Sequence, residues 1–440
     1  MPTTATVPTL DLTYIRAQFP SLSQTVNGHP AAFLDGPGGT QVPRCVIDAI
    51  SGYLGRDNAN TGGAYATSRH TDAMLAEARA AMADFLHCAA DEIVFGPNMT
   101  TLTYAMSRAI GRDLGPGDEI LVTRLDHDAN VSPWLALEEK GVTIRWAEIH
   151  REDCTLDVED LAAKLTSKTK LLAIGYASNA VGTINPVKEI VRIAHAAGAL
   201  AYVDAVHYGP HGLIDVAALD CDFLVCSTYK FFGPHMGVLF GKREHLARLH
   251  PYKVRPLTDA VPNRWEWGTL NHECIAGITA CVDYISDLGR HVTGKNAEPS
   301  EDGRPRLPIV QSSIDVPTRR AAVAAAFEAI HRYERSLMER LIEGLGNIKK
   351  LKIYGITDPA RFSWRVPTVT CNIGNHAPRA LAEHLAAHGI FAWDGNYYAL
   401  GIMERLSLEE RGGALRLGMA HYNTPEEVNR VLDCLEQFVS

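Results

Sequence analysis

The chain has 440 residues, a hydrophobic content of 46% and a formal net charge of −9 at pH 7. This length exceeds one ordinary domain, so a larger and a smaller domain are expected. The acidic excess disfavours nucleic acid and anionic membranes as partners, and no apolar run reaches the length of a membrane span. Nine cysteines are scattered without CxxC or metal-binding spacing, which predicts reduced thiols in a cytoplasmic protein and no metal site.

The first predicted elements lie in the amino-terminal forty residues. The opening residues lack the basic start and the continuous apolar core of a secretory signal, and residues 11–19 predict a short amphipathic helix. Residues 31–35 predict a brief strand, which ends at the Gly-Pro-Gly-Gly cluster of residues 36–39. Such a cluster lets the backbone approach a ligand closely, although an ordinary turn explains it equally well.

Two helices are predicted next, at residues 43–53 and 71–86. A short strand then leads into Asn98, Met99 and Thr100 at the start of another helix. A helix N-terminus with free N–H groups and a hydroxyl can hold a phosphate group. The same residues can instead form a simple N-cap through Asn98 or Thr100.

Three further predicted strands each lead to a polar residue. His127 follows the strand at 119–123, Asn179 follows the strand at 170–176, and Asp204 ends the strand at 200–204. Taken singly, a loop histidine or asparagine is an ordinary exposed or turn residue. Apolar strands alternate with amphipathic helices from about residue 90 to 245. This alternation predicts the α/β class with a mostly parallel sheet, whose site lies at the carboxyl ends of the strands.

Lys230 lies between two apolar strands, at residues 222–226 and 237–242, in a turn rich in Gly and Pro. Rigid elements would hold this lysine open to a cleft. A Schiff-base lysine needs that setting, because imine formation requires a fixed amine whose pKa can be lowered. A solvated surface lysine explains Lys230 alone just as simply. Asp204 favours the first interpretation, since pyridoxal phosphate enzymes need a carboxylate on the pyridinium nitrogen.

The carboxyl-terminal part predicts a second, smaller α/β unit. A polar stretch rich in Gly and Pro at residues 292–305 precedes it and predicts an exposed insertion or linker. The elements predicted after residue 270 are helices at 274–288, 319–345, 378–388 and 425–439 and strands at 351–354 and 366–372. The domains are predicted as residues 23–288 (large domain), 289–310 (exposed linker or insertion), and 1–22 with 311–440 (small domain).

The motifs Asp204-Ala-Val-His207 and Ser227-x-x-Lys230 resemble those of class V of the fold-type I pyridoxal-phosphate enzymes, in the branch of cysteine desulfurases and selenocysteine lyases. The resemblance extends from residues 33–40 to 421–427, nearly the whole chain. It implies a fold-type I transferase, with a mostly parallel seven-stranded sheet in the large domain and a smaller α/β C-terminal domain. It also implies pyridoxal 5′-phosphate as the cofactor.

The resemblance gives roles to individual positions. Lys230 would carry the cofactor and act as base at the substrate Cα, Asp204 would pair with the ring nitrogen, and His127 would stack on the ring and could shuttle protons. Asn179 and His207 would donate to the phenolic oxygen, His207 standing where the desulfurases usually carry glutamine. The remaining implied contacts, made mainly to the phosphate, are Asn98, Met99, Thr100, Ser227, Tyr229 and, across a homodimer interface, Thr269.

The resemblance fails at the cysteine on which a desulfurase forms its persulfide. Tyr398 stands at or beside that position, and Trp393 stands where an arginine is often found. No cysteine lies between Cys371 and Cys434. Cys371 falls within an apolar strand, where a core thiol is expected rather than a nucleophile. The chain is therefore predicted to form no protein persulfide.

Arg416 matches the family arginine that binds the α-carboxylate of the substrate. A guanidinium suits this task because it pairs with a carboxylate through two parallel hydrogen bonds. Without the resemblance, an arginine of a surface strand paired with a glutamate is the simpler explanation of Arg416. Tyr398 and Asn396 are the other predicted substrate contacts.

These features predict a pyridoxal-phosphate-dependent enzyme that acts at the α-carbon of a small amino acid. The leading hypothesis is β-elimination at a carbon–sulfur or carbon–selenium bond. The alternatives are an aminotransferase, an epimerase or decarboxylase, and a cofactor-binding accessory protein with little turnover. The expected partners are a small-molecule amino acid and a second copy of the chain, with no nucleic acid and no membrane.

Overall fold

A computed structural model describes residues 10–294 and 317–439. The α-helices are α1 (Leu12–Ala17), α2 (Arg44–Arg56), α3 (Ala66–Leu86), α4 (Met99–Ile110), α5 (Ser132–Leu135), α6 (Val158–Lys164), α7 (Val187–Ala196), α8 (Val216–Leu219), α9 (Arg243–Arg248), α10 (His272–Val292), α11 (Arg319–Gly346), α12 (Pro378–Ala387), α13 (Leu400–Arg405) and α14 (Pro425–Val439). No helix within the described ranges has the length and apolar character needed to cross a bilayer.

The β-strands are β1 (Thr25–Val26), β2 (His29–Pro30), β3 (Ala32–Phe33), β4 (Ile93–Gly96), β5 (Glu119–Thr123), β6 (Thr143–Ala147), β7 (Ile149–His150), β8 (Thr155–Leu156), β9 (Thr169–Gly175), β10 (Leu200–Asp204), β11 (Phe223–Ser227), β12 (Gly237–Gly241), β13 (Leu351–Tyr354), β14 (Thr368–Ile373), β15 (Ile390–Phe391), β16 (Trp393–Gly395) and β17 (Ala414–Gly418). Of the predicted linker at 289–310, residues 295–310 lie outside the described residues.

The larger sheet has seven strands in the order β4-β12-β11-β10-β9-β5-β6. The five strands from β11 to β6 are parallel, and β12 is antiparallel to both β11 and β4. Alternate residues of β9, such as Leu172 and Ala173, belong to two separate apolar clusters. Both faces of the sheet are therefore buried, as is usual for a parallel sheet. The predicted α/β class and mostly parallel seven-stranded sheet are confirmed.

The parallel strands bring their carboxyl ends to one edge of this sheet. The loops after β5, β9, β10 and β11 carry the polar residues that the sequence analysis selected. Ligands of open α/β sheets bind at this edge, because the strand ends hold their loops rigidly and the loops leave a crevice between them. The fold therefore gathers residues that lie far apart in the sequence.

The smaller sheet is antiparallel, with the strand order β13-β14-β17-β16. Helices α11, α12 and α14 contribute Leu341, Leu385 and Leu435 to the apolar cluster on this sheet. The amino-terminal strand β3 pairs in parallel with β15, directly before β16. This pairing places the glycine cluster after β3 beside Trp393 at the start of β16, and both segments border the site described below. The domain boundaries themselves stay predictions.

Most predicted elements lie within a few residues of the observed ones, and the start of α3 differs most. The helix begins at Ala66 rather than at residue 71. Its first turn buries Ser68, whose Oγ donates to the Asn60 carbonyl (2.6 Å) and accepts from the Gly63 amide (2.7 Å). A hydroxyl therefore anchors this turn to the preceding loop, and a pattern based on apolar residues cannot detect such an anchor.

Candidate active site

A cavity of about 710 Å³ lies between the carboxyl edge of the large sheet and the loop after β16. The predicted site residues that line it are Met99, Thr100, His127, Asn179, Asp204, His207, Tyr229, Lys230, Asn396, Tyr398 and Arg416. Asn98 and Ser227 lie behind this lining, and Thr269 is exposed elsewhere on the chain. Eleven residues chosen from separate stretches of sequence thus share one cavity.

Lys230 ends a single 3₁₀ turn that directly follows β11. Its Nζ donates to the carbonyl oxygen of Pro37, in the glycine cluster after β3. Burial, followed by the positive charge of Arg416, lowers the pKa of Lys230 to about 7. A substantial share of the amine is therefore neutral at physiological pH, which nucleophilic attack and proton abstraction both require.

Asp204 is the last residue of β10 and is 7% exposed. Its Oδ1 accepts a hydrogen bond from the Val206 amide at 2.9 Å. Burial raises the pKa of Asp204 to about 6, so the carboxylate remains mostly ionised at neutral pH. A buried carboxylate beside a cavity suits a cationic ring nitrogen, because the pair would neutralise its charge away from water.

Asp126, which the sequence analysis did not select, is a second buried carboxyl beside Asp204. Its Oδ1 accepts from the Gly175 amide, whereas its Oδ2 has no partner among the described residues. Burial, followed by the charge of Asp204, holds the pKa of Asp126 well above its usual range. Asp126 therefore holds its proton more strongly than Asp204, whose carboxylate is mostly ionised at neutral pH.

This difference predicts the effect of replacing Asp126 by asparagine. Because burial raises the folded-state pKa of Asp126, this group disfavours folding at pH 7, and that cost disappears below the unfolded pKa of about 4. Asp126→Asn keeps the acceptor for Gly175 and removes that cost. The variant should therefore equal or exceed the wild type in urea midpoint at pH 7, and the gain should fade towards pH 4.

The matched control is Asp126→Ala, which leaves the Gly175 amide without an acceptor. A buried unpaired amide costs about 1–3 kcal/mol, so this variant should unfold at lower urea concentration than the wild type. Urea unfolding of the cofactor-free protein, followed by circular dichroism at both pH values, makes the comparison. A loss of stability in Asp126→Asn at pH 7 would contradict a raised pKa of Asp126.

His127 follows β5 and is held as a neutral ring. Its Nδ1 accepts from the Ala129 amide at 3.0 Å, so the proton of the neutral imidazole resides on Nε2. Burial, followed by the charge of Lys230, lowers the pKa of His127 to about 4. The ring is near-parallel to that of Tyr398, with centroids 5.7 Å apart. A neutral, positioned ring at the cavity wall has the geometry that the predicted stacking role requires.

The N-terminus of α4 forms one end of the cavity. Asn98 caps the helix, its Oδ1 accepting from the Thr101 amide at 2.8 Å. The Met99 amide donates to Ser227 Oγ at 3.2 Å. A side chain at Gly237 would overlap the backbone of Asn98, so this close approach requires glycine there. Free N–H groups and hydroxyls at a helix start form a cradle for an anion.

Arg416 projects from β17 into the cavity wall and is 4% exposed. Its Nη1 donates to the carbonyl of Asn179 at 2.8 Å, and its guanidinium lies 4.2 Å above the ring of Tyr397. The Arg416 Nε has no partner, and no ion pair forms at this guanidinium, within residues 10–294 and 317–439. Burial lowers its pKa to about 10, so it remains charged at neutral pH. An unpaired buried cation creates a strong preference for a carboxylate ligand.

Asn179 and His207 also line the cavity. The Asn179 side chain donates to the Tyr397 carbonyl at 2.9 Å, which leaves its Oδ1 without a partner in the described chain. His207 Nε2 lies 2.9 Å from the Thr368 hydroxyl, and burial holds its pKa well below the usual range. Tyr229 stacks on His235 with ring centroids 4.7 Å apart. The predicted contacts of these side chains with a cofactor oxygen or phosphate remain predictions.

The loop after β16 closes the other side of the cavity. Tyr397 and Tyr398 both have left-handed backbone angles, with φ of 57° and 56°. The Tyr398 carbonyl accepts from the Asp128 amide at 2.6 Å, while its side chain is 74% exposed. The Asn396 side chain donates to Glu409 at 3.0 Å. Two adjacent strained tyrosines are tolerated only where the surroundings hold them, which is typical of functional loops.

No cysteine lies among the residues that line this cavity. Cys371 is fully buried in β14, as the sequence analysis expected of a core thiol. Burial raises its pKa to about 12, so the thiolate that a nucleophile needs is scarce at neutral pH. The cavity therefore offers no sulfur nucleophile of its own.

The site also contains residues that the sequence analysis missed. One sequence feature could have identified Asp126, which is an acidic residue next to His127 after a predicted strand. Asp35, whose pKa burial raises to about 6, ends the first predicted strand just before the glycine cluster. Tyr397, which precedes the predicted contact Tyr398, packs on Arg416, and both tyrosines have left-handed backbone angles. No sequence pattern predicts such backbone angles at tyrosine.

Taken together, the donor set fits pyridoxal phosphate. It combines an amine of lowered pKa, an ionised buried carboxylate, a neutral imidazole and a helix N-terminus flanked by hydroxyls. The unpaired Asn179 Oδ1 and Arg416 Nε are further buried polar atoms that face no protein partner in the described chain. Buried polar groups without partners are rare, and a ligand is one reason for them.

Comparisons with known proteins agree with this geometry. The family model described as Aminotransferase class-V matches residues 32–302 and 321–431. A cysteine desulfurase of Pectobacterium atrosepticum is 32% identical over 440 residues, covering 96% of this chain and 97% of its own. A cysteine desulfurase of Yersinia pestis is 32% identical over 441 residues, with the same coverage of both chains.

Two solved structures share the fold. The apo cysteine desulfurase of Thermococcus onnurineus superposes with a TM-score of 0.82 and 25% identity, over 97% of this chain and 98% of that one. The cysteine desulfurase CsdA of Escherichia coli gives a TM-score of 0.79 at 22% identity, over 98% of both chains, and supports the fold alone.

Proposed function

This chain belongs to the class-V aminotransferase family of pyridoxal-phosphate-dependent enzymes, in its cysteine desulfurase-like branch, and on that premise we propose that it cleaves a carbon–sulfur or carbon–selenium bond by β-elimination without forming a protein persulfide. The substrate would be a small amino acid with sulfur or selenium at its β-carbon. The observation that carries the proposal is a cavity that gathers the predicted cofactor and carboxylate residues and whose lining contains no cysteine.

In this proposal six residues would hold the cofactor. Lys230 binds it covalently, Asp204 pairs with its ring nitrogen, and His127 lies against its ring. Met99 and Thr100, at the start of α4, receive the phosphate, with the Ser227 hydroxyl behind them. When bound, the cofactor supplies an electron sink that stabilises negative charge at the substrate Cα.

The carboxylate of the substrate would pair with Arg416. The guanidinium is buried, charged and without a carboxylate partner in the described chain, so the incoming carboxylate satisfies it. Arg416 thereby orients the substrate with its Cα towards the Lys230 amine. With a pKa near 7, that amine can accept the Cα proton at physiological pH.

The sulfur or selenium would then leave as a thiol or selenol. The Cα–H bond and the Cβ–S bond break, the departing sulfur carries away one proton in net terms, and hydrolysis of the remaining enamine gives a keto acid and ammonia. A desulfurase needs a thiolate in this cavity to accept the sulfur atom. Tyr398 borders the cavity instead, and a phenol cannot form a persulfide.

Product analysis with L-cysteine, L-selenocysteine and an S-conjugated cysteine tests this proposal. We expect sulfide (or selenide, or the thiol) and pyruvate in equal amounts, and no persulfide on the protein by mass spectrometry. The matched control is Cys371→Ser, which should keep the product ratio because that thiol is buried away from the cavity. Formation of alanine together with a protein persulfide would overturn the proposal.

The other activities that the sequence left open have distinct outcomes in the same assay. Accumulation of the pyridoxamine form, reversed by a keto acid, would identify an aminotransferase. A D-amino acid or carbon dioxide would identify an epimerase or a decarboxylase. No change in the visible spectrum with any amino acid would identify a binding protein with little turnover.

We further propose that the active form is a homodimer, in a cytoplasmic setting that suits nine free cysteines. Thr269 is exposed and lies outside the cavity of its own chain, so it could reach a phosphate only in a partner subunit. Sedimentation analysis should give twice the mass of one chain. A monomeric holoenzyme would contradict the contribution of Thr269 across an interface.

A further inference from the structure

A cluster of two histidines and one cysteine lies in the smaller sheet's helical layer, remote from the active-site cavity. His384 and His388 belong to the last turn and C-cap of α12, and Cys434 belongs to α14. One potential ligand atom from each residue lies within 4.8 Å of the others. No residue of this cluster lines the cavity described above.

Both imidazoles are oriented by backbone carbonyls. The Nε2 of His384 lies 3.1 Å from the Cys434 carbonyl, and the Nδ1 of His388 lies 2.8 Å from the His384 carbonyl. A carbonyl can only accept, so these nitrogens carry the protons. The lone pairs therefore reside on Nδ1 of His384 and Nε2 of His388. Metal-binding histidines are held in this manner, with the second nitrogen donating to a carbonyl or carboxylate.

We propose that His384, His388 and Cys434 form a binding site for a divalent transition metal ion, with Zn²⁺ as the preferred occupant. Two imidazoles and a thiolate are ligands that this borderline-soft cation takes in tetrahedral sites. Tetrahedral Zn–N and Zn–S bonds place the ligand atoms roughly 3.5 Å apart. The potential ligand atoms lie up to 4.8 Å apart, so metal binding requires the three side chains to close on the ion.

A fourth ligand can come from a neighbouring side chain or from water. The exposed His29 has its ring centroid 5.7 Å from that of His388, so either this imidazole or a water molecule can complete the tetrahedron. Binding releases the Cys434 thiol proton, since the ligand is the thiolate. The sequence analysis predicted no metal site, because Cys434 follows His388 only after a long interval that includes β16 and β17.

The position of the cluster indicates a structural role. The segment after His388 continues into β15, which pairs with β3, and then into β16 at the cavity. Arg430 of α14 donates to the carbonyls of His388 (3.0 Å) and Pro30 (2.9 Å), so these same segments already converge there. A metal ion would link α12 to α14 through coordinate bonds and stabilise the native state without taking part in the reaction.

The test uses the purified holoenzyme, stripped with a chelator and then titrated with Zn²⁺. We expect one equivalent of zinc per chain by elemental analysis and a higher melting temperature than in the metal-free protein. Loss of an outer-shell partner typically lowers metal affinity by about 10- to 100-fold. Cys434→Ser and His384→Ala each remove a ligand, so each should weaken zinc binding by more than that. The matched control His376→Ala, an exposed histidine that contacts Phe438 but lies outside the cluster, should leave affinity unchanged.

A second measurement does not depend on any variant folding. Co²⁺ added to the metal-free wild-type holoenzyme should give an ultraviolet charge-transfer band from a cobalt–thiolate bond, in difference spectra against the unloaded protein. The visible absorption of the cofactor should stay constant throughout. Failure to retain zinc, zinc binding that survives in Cys434→Ser, or cobalt binding without the thiolate band would each overturn the proposal.

Discussion

Replacing Lys230 by alanine is expected to remove the visible absorption of the bound cofactor and to lower turnover by at least about 10⁴-fold. The amine is the only nucleophile placed at the end of β11 with a lowered pKa, and it serves both to hold the cofactor and to accept the Cα proton. Absorption spectra of the purified variant, with single-turnover product analysis, measure both losses. Added pyridoxal phosphate should not restore either signal.

Two controls distinguish the role of the Lys230 amine as a nucleophile from the effect of its positive charge. Lys230→Arg retains a cation beside the Pro37 carbonyl but cannot form the covalent bond, so it should lose the absorption as completely as the alanine variant. Lys349→Ala removes an exposed lysine far from the cavity and should behave as wild type. A Lys230→Ala protein that keeps its visible absorption would disprove the assignment of the cofactor lysine.

Replacing Arg416 by lysine is expected to lower kcat/KM for an α-amino acid by about 10²- to 10³-fold while leaving cofactor absorption intact. Removing one partner of a buried, hydrogen-bonded charge pair typically costs 2 kcal/mol or more, and an ammonium cannot reproduce the planar fork of a guanidinium. Arg416 also donates to the Asn179 carbonyl and packs on Tyr397, and lysine would reproduce neither contact fully. Steady-state kinetics with the best amino-acid substrate measure the effect.

A substrate analogue without the carboxylate tests the reason for that loss. The wild type should discriminate strongly against a β-substituted amine that lacks the α-carboxylate, whereas Arg416→Lys should discriminate little. The matched control is Arg411→Lys, an exposed arginine close to β17 that donates to the Gly374 carbonyl. Equal losses for both substrates in Arg416→Lys would indicate a structural role for the guanidinium instead of carboxylate binding.

The secondary structure followed the sequence wherever apolar periodicity was regular. The parallel strands β5, β9, β10 and β11 lie within one or two residues of their predicted positions, because buried strands of a parallel sheet are short continuous apolar runs. The start of α3 was missed for the opposite reason. Its buried face there consists of hydroxyl residues that bond a loop.

That the main predicted site residues lie close together also followed from the sequence. Lys230 and Asp204 each stand at the carboxyl end of a predicted strand, and a parallel sheet brings such ends together whatever the details of packing. Arg416 was placed by resemblance alone, since nothing local to β17 distinguishes it from a surface arginine. The absence of a cysteine between Cys371 and Cys434 was likewise readable directly.

The protonation states and bonding partners of the site residues, by contrast, were decided only by the tertiary structure. The pKa values of Asp126 and of the Lys230 amine depend on how fully each group is removed from water. The lack of a carboxylate partner at Arg416 depends on which segments pack around it. That removal is produced by segments distant in sequence, such as β17 against the loop after β9. The sequence alone therefore determined which chemical groups this protein brings to its site. Desolvation by packing determined their charge states, because the cost of burying a charge depends on every neighbour that displaces water.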